Sequence, residues 1–385
     1  MSPDSARFKP RLLFLVTEDW YFCSHRLPVA RAARDAGFDV AVATRVTDHG
    51  PQIVAEGFCL HPLSWRRRGD GILGNLRALA GIVHLYRQER PSIVHHVSLK
   101  PVVFGSLAAR MAGVTRVVNA INGLGFVFTA ESGLARTARV ALRVLFRLIV
   151  DRRQTVVLFQ NEDDRQHLLS RRFLRRSATA VVRGSGVDIT HFRPLPEPPG
   201  DPPTIALVTR MVAIKGVDTL VDASRLLRDR GVPHRLLLVG APDPDNPSSI
   251  REETLRAWAE EPGISWLGRR QDVREIWAKA HVAVLTSHGG EGLPKTLLEA
   301  AACGRPIVAT DVAGSREIAI EGVNALVVPP RDPVALAAAL ERLLRDPDLR
   351  SRFGAAGRSL VEVGHSDQKI AAAILVLYDR VMGRA

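Results

Sequence analysis

"RPLPEPPGDPP", residues 193–203, carries six prolines in eleven residues. Each proline removes a backbone donor and fixes φ, so this stretch can be neither a helix nor a central strand. It reads as a linker, and the chain on either side of it has one repeating character. Before it lie apolar runs of strand length, "RLLFLVT", "DVAVATRV", "FCLHPL", "SIVHHVS", "RVVNAI", "TVVLFQ" and "ATAVV"; after it come "TIALVT", "HRLLLVG", "ISWLG", "VAVLTS", "PIVATD" and "ALVVPP". Segments of helical period separate them, which predicts an α/β fold with a parallel sheet in each half. The expected architecture is two tandem Rossmann-like, doubly wound domains, with ligands at the C-terminal strand ends facing an interdomain cleft. The boundaries read as 1–195, 196–365 and a C-terminal helix, 366–385, with Ser366 as N-cap; that helix packs either on the second domain or back toward the first.

The 385 residues, 46% of them apolar, suffice for two cores. The N-terminal "MSPDSARFKP" has no apolar leader, and no run of 18 uncharged apolar residues occurs, so the reading is a cytoplasmic protein. Cys23, Cys59 and Cys303 lack metal-ligand spacing, which predicts neither a metal site nor disulfides. The net charge of +13 is uneven: residues 1–200 hold 29 Lys and Arg against 16 Asp and Glu, and residues 201–385 hold 24 of each. An excess confined to one half points to nucleic acid, an anionic membrane surface or a phosphorylated substrate in that half. With aromatics at 5% and no recognisable reading module, a specific nucleic-acid partner is not expected.

Chemistry concentrates in "SHGGEGLPKTLLEAAACGRP", residues 287–306. A buried strand precedes it, Pro294 suits a first helical turn, and the helix runs from about 294 to 303 before Gly304. Unpaired N–H groups near Gly292 to Thr296 and the positive helix end form a phosphate site. Glu291 lies just before the helix and Glu299 further along it, so both reach hydroxyl-rich groups beside that phosphate. A nucleotide diphosphate sugar has this chemistry. "LVTRMVAIKGVDTLVDA" adds Arg210 at a strand end and Lys215 before Gly216, two cations in one strand-to-helix loop that neutralise a diphosphate without metal or other cofactor.

The stretches "TRMVAIKGVDTLVDA", "WLGRRQDVREIWAKAHVAVLTS", "EGLPKTLLEAAACGRPIVATDVAGSREI" and "EGVNALVVPPRDPVALAAAL" resemble, in order, the retaining glycosyltransferases of family 4, which have the GT-B fold. The likeness spans about residues 204–345. It implies that Arg210 and Lys215 hold the donor diphosphate, that Glu299 takes the ribose hydroxyls, and that Glu291 contacts the donor sugar. Backbone at Gly292, Leu293, Pro294, Lys295, Thr296 and Leu297 meets phosphate and sugar, and the loop Gly268, Arg269 and Arg270 meets the base. Thr209 departs from the family, which usually has glycine there. In the first half, "DWYFCSHRLPVARAARDAGFDV" and "HHVSLKPVVFGSLAARMAGV" resemble the bacterial branch that extends lipid-linked oligosaccharides. Where many members carry a histidine after the fifth strand, this chain has Asn122 and Gly123; these and His25 are the acceptor-side candidates, while His95 and His96 read as structural.

The resemblance implies retaining transfer of a sugar, from a donor expected to be UDP-linked, to a polyprenyl-diphosphate-linked glycan. A nucleotide-sugar epimerase on the same architecture is the rival; it would need a proton-shuttling base and no acceptor. A helix at 134–153 sets Arg136, Arg139, Arg143 and Arg147 in a stripe, and Trp65 adjoins Arg66, Arg67 and Arg68. Both stretches predict peripheral docking on the anionic inner face of the cytoplasmic membrane, the alternative for the first being a core helix with a solvated basic face.

Overall fold

The computed structural model describes residues 9–65, 71–124, 133–152, 154–174, 179–290 and 292–384, apart from the side chains of 133–138. The chain divides into two compact units, Met1–Ser185 with Asp367–Ala385, and Gly186–Ser366. All thirteen expected strands are present.

Unit 1 is built on β1 (Arg11–Glu18), β2 (Asp39–Arg45), β3 (Cys59–Pro62), β4 (Ile93–Val97), β5 (Val117–Ile121), β6 (Thr155–Phe159) and β7 (Thr179–Val181). They pair in parallel in the order β3-β2-β1-β4-β5-β6-β7. Period two explains the layers: Leu12, Phe14 and Val16 of β1 enter one core, Leu13 and Leu15 the core on the opposite face. The covering helices are α1 (Asp19–His25), α2 (Leu27–Asp35), α3 (Gly50–Ala55), α4 (Gly71–Glu89), α5 (Leu99–Ala112), α6 (Gly133–Leu145), which runs into a π-turn at Phe146–Val150, and α7 (Glu162–Ser170).

Unit 2 holds β8 (Thr204–Val208), β9 (Arg235–Val239), β10 (Ile264–Trp266), β11 (Val282–Leu285), β12 (Ile307–Thr310) and β13 (Ala325–Val328), parallel and ordered β10-β9-β8-β11-β12-β13. Its helices are α8 (Val217–Asp229), α9 (Glu252–Ala259), α10 (Val273–Lys279), α11 (Lys295–Ala302), α12 (Ala313–Arg316), α13 (Pro333–Arg345) and α14 (Pro347–Gly364). In both sheets the strand order reverses beside the first strand, between β1 and β4 and between β8 and β11. Loops diverge there and leave a crevice at the C-terminal strand ends.

The proline-rich segment does not hang free. Within it Arg305 Nη2 donates to Pro196 O at 2.7 Å and Arg350 pairs with Glu197, and just before it Arg358 Nη1 donates to Phe192 O at 2.8 Å. Residues 186–203 are therefore part of unit 2, and the chain passes between units near Ser185 and again near Ser366.

The last helix, α15 (Asp367–Met382), joins unit 1 and not unit 2. Ile370, Ile374 and Tyr378 fill the core beneath α2, and Tyr378 Oη meets His95 Nδ1 at 2.6 Å. His95 and His96 are fully buried in β4. Burial depresses both imidazoles, His96 to about 4, so both are neutral. His96 bridges Tyr86 Oη at 2.9 Å and Asn119 Oδ1 at 2.7 Å, a structural role.

Trp65 corrects the sequence reading. It is only 1% exposed, lies in the core with Ile82 and Tyr86, and meets Phe104 edge-on with the Lys100 ammonium over its ring. A residue so enclosed cannot anchor the protein in headgroups. Arg66, Arg67 and Arg68 lie outside the described residues, as does the Arg136 side chain. No helix among the described residues is long and apolar enough to cross a membrane.

Candidate active site

In unit 2 two loops meet at the switch point. The first follows β8: Arg210, then a 3₁₀ turn Ala213–Lys215, then Gly216 opening α8 with φ +63°. The second follows β11 and runs from Thr286 to α11. They are bonded along their length. Thr286 Oγ1 donates to Lys215 O at 2.8 Å, His288 N to Ile214 O at 2.8 Å, and Ser287 Oγ to Ile214 O at 3.4 Å, while Thr310 Oγ1 at the end of β12 donates to Ser287 O at 2.5 Å. A Cβ on Gly216 would stand 2.2 Å from Thr286 O and 2.8 Å from His288 Nε2, so both the close approach and the left-handed backbone require glycine.

This clamp fixes where Lys215 and the start of α11 lie. Pro294 is the N-cap of α11, one position earlier than the first-turn place expected, with extended backbone, and Leu297 N donates to its carbonyl at 3.1 Å. Gly289 and Gly290 turn the loop with positive φ, and Gly292 and Leu293 are buried beneath it. Thr296 Oγ1, in the first turn, is buried without a hydrogen-bond partner among the described residues. Such an orphan in a helix mouth suits a site that a ligand completes. Glu299 is the fifth residue of α11 and half-buried. Glu291 lies outside the described residues.

Arg210 has a partner the sequence reading missed. Its Nη1 pairs with Asp243 Oδ2 at 2.5 Å, Asp243 being 10% exposed at its side chain and Arg210 47%. Asp243 sits in "APDPDNP" after β9, and nothing in that stretch names its partner. His288 was missed as well: it lies against Gly216, Thr219 Oγ1 and Arg331 Nε, and burial first, then the Arg331 charge, hold its imidazole below the usual range. Thr209, where the related family has glycine, presses its carbonyl on Gly240, where a Cβ would come within 1.7 Å. The glycine this contact needs is thus Gly240. Gly268 has φ +63° and accepts from Gly240 N at 2.8 Å, leaving Arg269 and Arg270 exposed beside it.

In unit 1 the candidates gather at the β1/β4 switch point. Asn122 follows β5 and is half-buried, and Gly123 has φ +125°. His25, at the end of α1, stacks on Tyr21 with centroids 4.1 Å apart, its Nδ1 2.6 Å from Ser24 Oγ. Among the described residues no group of three or more His, Cys, Asp or Glu could hold a metal ion. The arrangement in unit 2 offers two cations and a helix mouth to an anion; that in unit 1 offers neutral donors.

Comparison with known proteins gives the family and the fold. Residues 11–161 match the family described as Glycosyl transferase 4-like, and residues 202–346 that described as Glycosyl transferases group 1. The chain is 23% identical over 369 residues to the N,N'-diacetylbacillosaminyl-diphospho-undecaprenol alpha-1,3-N-acetylgalactosaminyltransferase of Campylobacter jejuni, covering 93% of this chain and 95% of that one. It is 22% identical over 315 residues to the capsular polysaccharide biosynthesis glycosyltransferase CapM of Staphylococcus aureus, covering 79% and 80%. Among solved structures, a sucrose-phosphate synthase from Thermosynechococcus elongatus superposes with a TM-score of 0.81 at 21% identity, covering 97% of this chain and 100% of that one. HepE of Anabaena, in complex with UDP and glucose, gives 0.78 at 18%, covering 96% and 99%. The structural likenesses carry the fold, two Rossmann-like domains of GT-B type.

Proposed function

Because the chain is a glycosyltransferase of polysaccharide biosynthesis, with a glycosyl transferase 4-like half and a group 1 glycosyl transferase half, we propose that it moves a sugar, with retention, from a UDP-linked donor to a hydroxyl of a polyprenyl-diphosphate-linked glycan. The observation that carries this reading is the clamp in unit 2, which sets Lys215 and Arg210 on one loop and the mouth of α11 on the other, both at one switch point. Arg210 and Lys215 then neutralise the departing diphosphate, and Glu299 takes the ribose. Glu291 is the proposed sugar contact. Charge stabilisation of this kind needs no protein nucleophile: the donor C1–O bond loosens, the acceptor attacks from the same face, and the leaving phosphate takes its proton. The relative from Campylobacter, whose name specifies a diphospho-undecaprenol acceptor, supports the lipid-linked glycan, and the UDP held by the Anabaena neighbour supports the base. Docking on the cytoplasmic face of the membrane through the basic half belongs to the same proposal.

The test is a panel of nucleotide sugars, first for thermal stabilisation and then for transfer to a polyprenyl-diphosphate glycan with and without EDTA. The expected result is stabilisation by UDP and one UDP-sugar, an α-linked product from an α-linked donor, and no loss of rate with chelator. Inversion at the anomeric carbon, or nucleotide release independent of acceptor, would overturn the reading, the latter in favour of an epimerase.

A further inference from the structure

Arg26 joins α1 to α2 and is 1% exposed, one of the largest fully buried side chains in the molecule. No carboxylate among the described residues pairs with it. Its Nη2 donates to Asn122 Oδ1 at 2.7 Å and its Nη1 to the His25 carbonyl at 3.3 Å, while Nε is buried with no partner. An arginine stays charged, and enclosing a charge among neutral groups costs several kcal/mol, so a purely structural residue here would be better apolar.

The neighbours show what the charge acts on. Asn122 Oδ1 is taken up by Arg26 and, at 3.3 Å, by Gln160 Nε2, which turns the amide so that Nδ2 donates to Tyr21 Oη at 2.8 Å and Ser98 Oγ at 3.4 Å. Each hydroxyl accepts from Asn122 and so directs its own proton elsewhere. Ser98 has φ +79° and ψ 163°, a region that in practice only glycine occupies, and its side chain makes no capping bond to α5. These residues come from the ends of β1, β4, β5 and β6, the crevice of unit 1.

We propose that Arg26 is a positioning residue for the acceptor: it fixes the Asn122 amide and, through it, polarises the Ser98 and Tyr21 hydroxyls toward a phosphate oxygen of the acceptor's diphosphate. The assignment rests on the glycosyl-transfer reading above. A cation behind a relay of neutral donors favours an electron-rich, anionic oxygen over a sugar hydroxyl, because the field of a buried charge is weakly screened.

The discriminating variant is Asn122→Asp. It keeps the acceptor atom for Arg26, supplies the missing counter-charge and removes the amide donor. The readout is the ratio of kcat/KM for a diphosphate-linked glycan to that for the same glycan as an uncharged alkyl glycoside. Wild type is expected to prefer the diphosphate by at least tenfold, and Asn122→Asp to bring the ratio near one while melting at a higher temperature. Tyr21→Phe, which removes one hydroxyl from a half-buried ring, is expected to lower the ratio about threefold and keeps the test open should Asn122→Asp not fold. An unchanged ratio in folded Asn122→Asp, or in Tyr21→Phe if the aspartate variant fails, would overturn the proposal. A tenfold fall in UDP affinity with the ratio intact would assign the phosphate to the sugar donor and overturn it as well. If wild type transfers to neither acceptor, the functional reading itself falls, and this inference with it.

Discussion

Arg210 and Lys215 differ in what holds them, and this shapes what their loss does. Arg210 is oriented by Asp243, and Lys215 sits on a turn that Thr286 ties at its carbonyl, so truncating either side chain leaves the backbone clamp in place. Arg210→Ala and Lys215→Ala are each expected to lower kcat by about 10²–10³-fold with melting little changed, checked by steady-state kinetics and calorimetry. Gly216→Ala attacks the clamp itself. With Thr286 O 2.2 Å from the new Cβ and φ at +63°, the loops must part, and a loss of about 1–3 kcal/mol is expected together with loss of UDP binding, read by denaturant unfolding and titration. The glycines, arginine and lysine of the candidate site were legible because their types and spacing suit an anion. Asp243, His288 and Arg26 were not, since each gains its meaning only from a neighbour brought in by the fold: an arginine in "CSHRLPVA" reads as surface until its burial is seen.

At the scale of elements, strand and helix were plain because a parallel sheet buried on both faces writes continuous apolar runs, and α11 was marked by Pro294 and Gly304. The helix start fell one residue later than read, a difference set by cap geometry. Trp65 was misread because a tryptophan beside arginines satisfies both an interface pattern and a core contact, and only Phe104 and Lys100, some forty residues on, decide between them. In the proposed function, Glu299 on α11 takes the ribose and not the donor sugar. Glu299→Ala is expected to weaken UDP binding about tenfold, on the scale of one charged hydrogen bond, and calorimetric titration with UDP alone checks it. Strand β4 yields a pH prediction. His96 titrates at about 4 when folded and near 6.5 when unfolded, so the unfolded chain binds the proton more readily. Its contribution is fully present above pH 6.5 and is lost as pH falls toward 4, by roughly 3 kcal/mol over that window; the stability profile of His96→Gln should be flatter there than that of wild type.

Over the whole molecule, the charge asymmetry and the C-terminal helix have different origins. The helix α15 returns to unit 1 because Ile370, Ile374 and Tyr378 complete a core next to β1 and β4, a pairing of residues some 280 positions apart that no local pattern encodes. The positive excess, by contrast, was readable at once, and the structure shows which exposed apolar side chains lie beside it. After the side chains of 133–138, the α6 helix and its π-turn expose Val140, Val144 and Leu148 at 53%, 50% and 63%, next to the row of Arg139, Arg143 and Arg147. Ile72, Leu73 and Leu76 at the start of α4 are exposed too, at 81%, 72% and 57%. Apolar side chains beside arginines suit the boundary between acyl chains and anionic headgroups, and the proposed membrane docking rests on them now that Trp65 lies in the core. Replacing Arg139, Arg143 and Arg147 with alanine removes about 1 kcal/mol each near an anionic surface, so partition onto anionic vesicles at low salt should fall about a hundredfold. Serine at Val140, Val144 and Leu148 should weaken binding to the same vesicles at all salt concentrations, because apolar burial is not screened by ions. Sedimentation with anionic and neutral vesicles separates the two contributions; equal sedimentation of the arginine variant and the parent would show that the charge of this half serves a partner other than lipid.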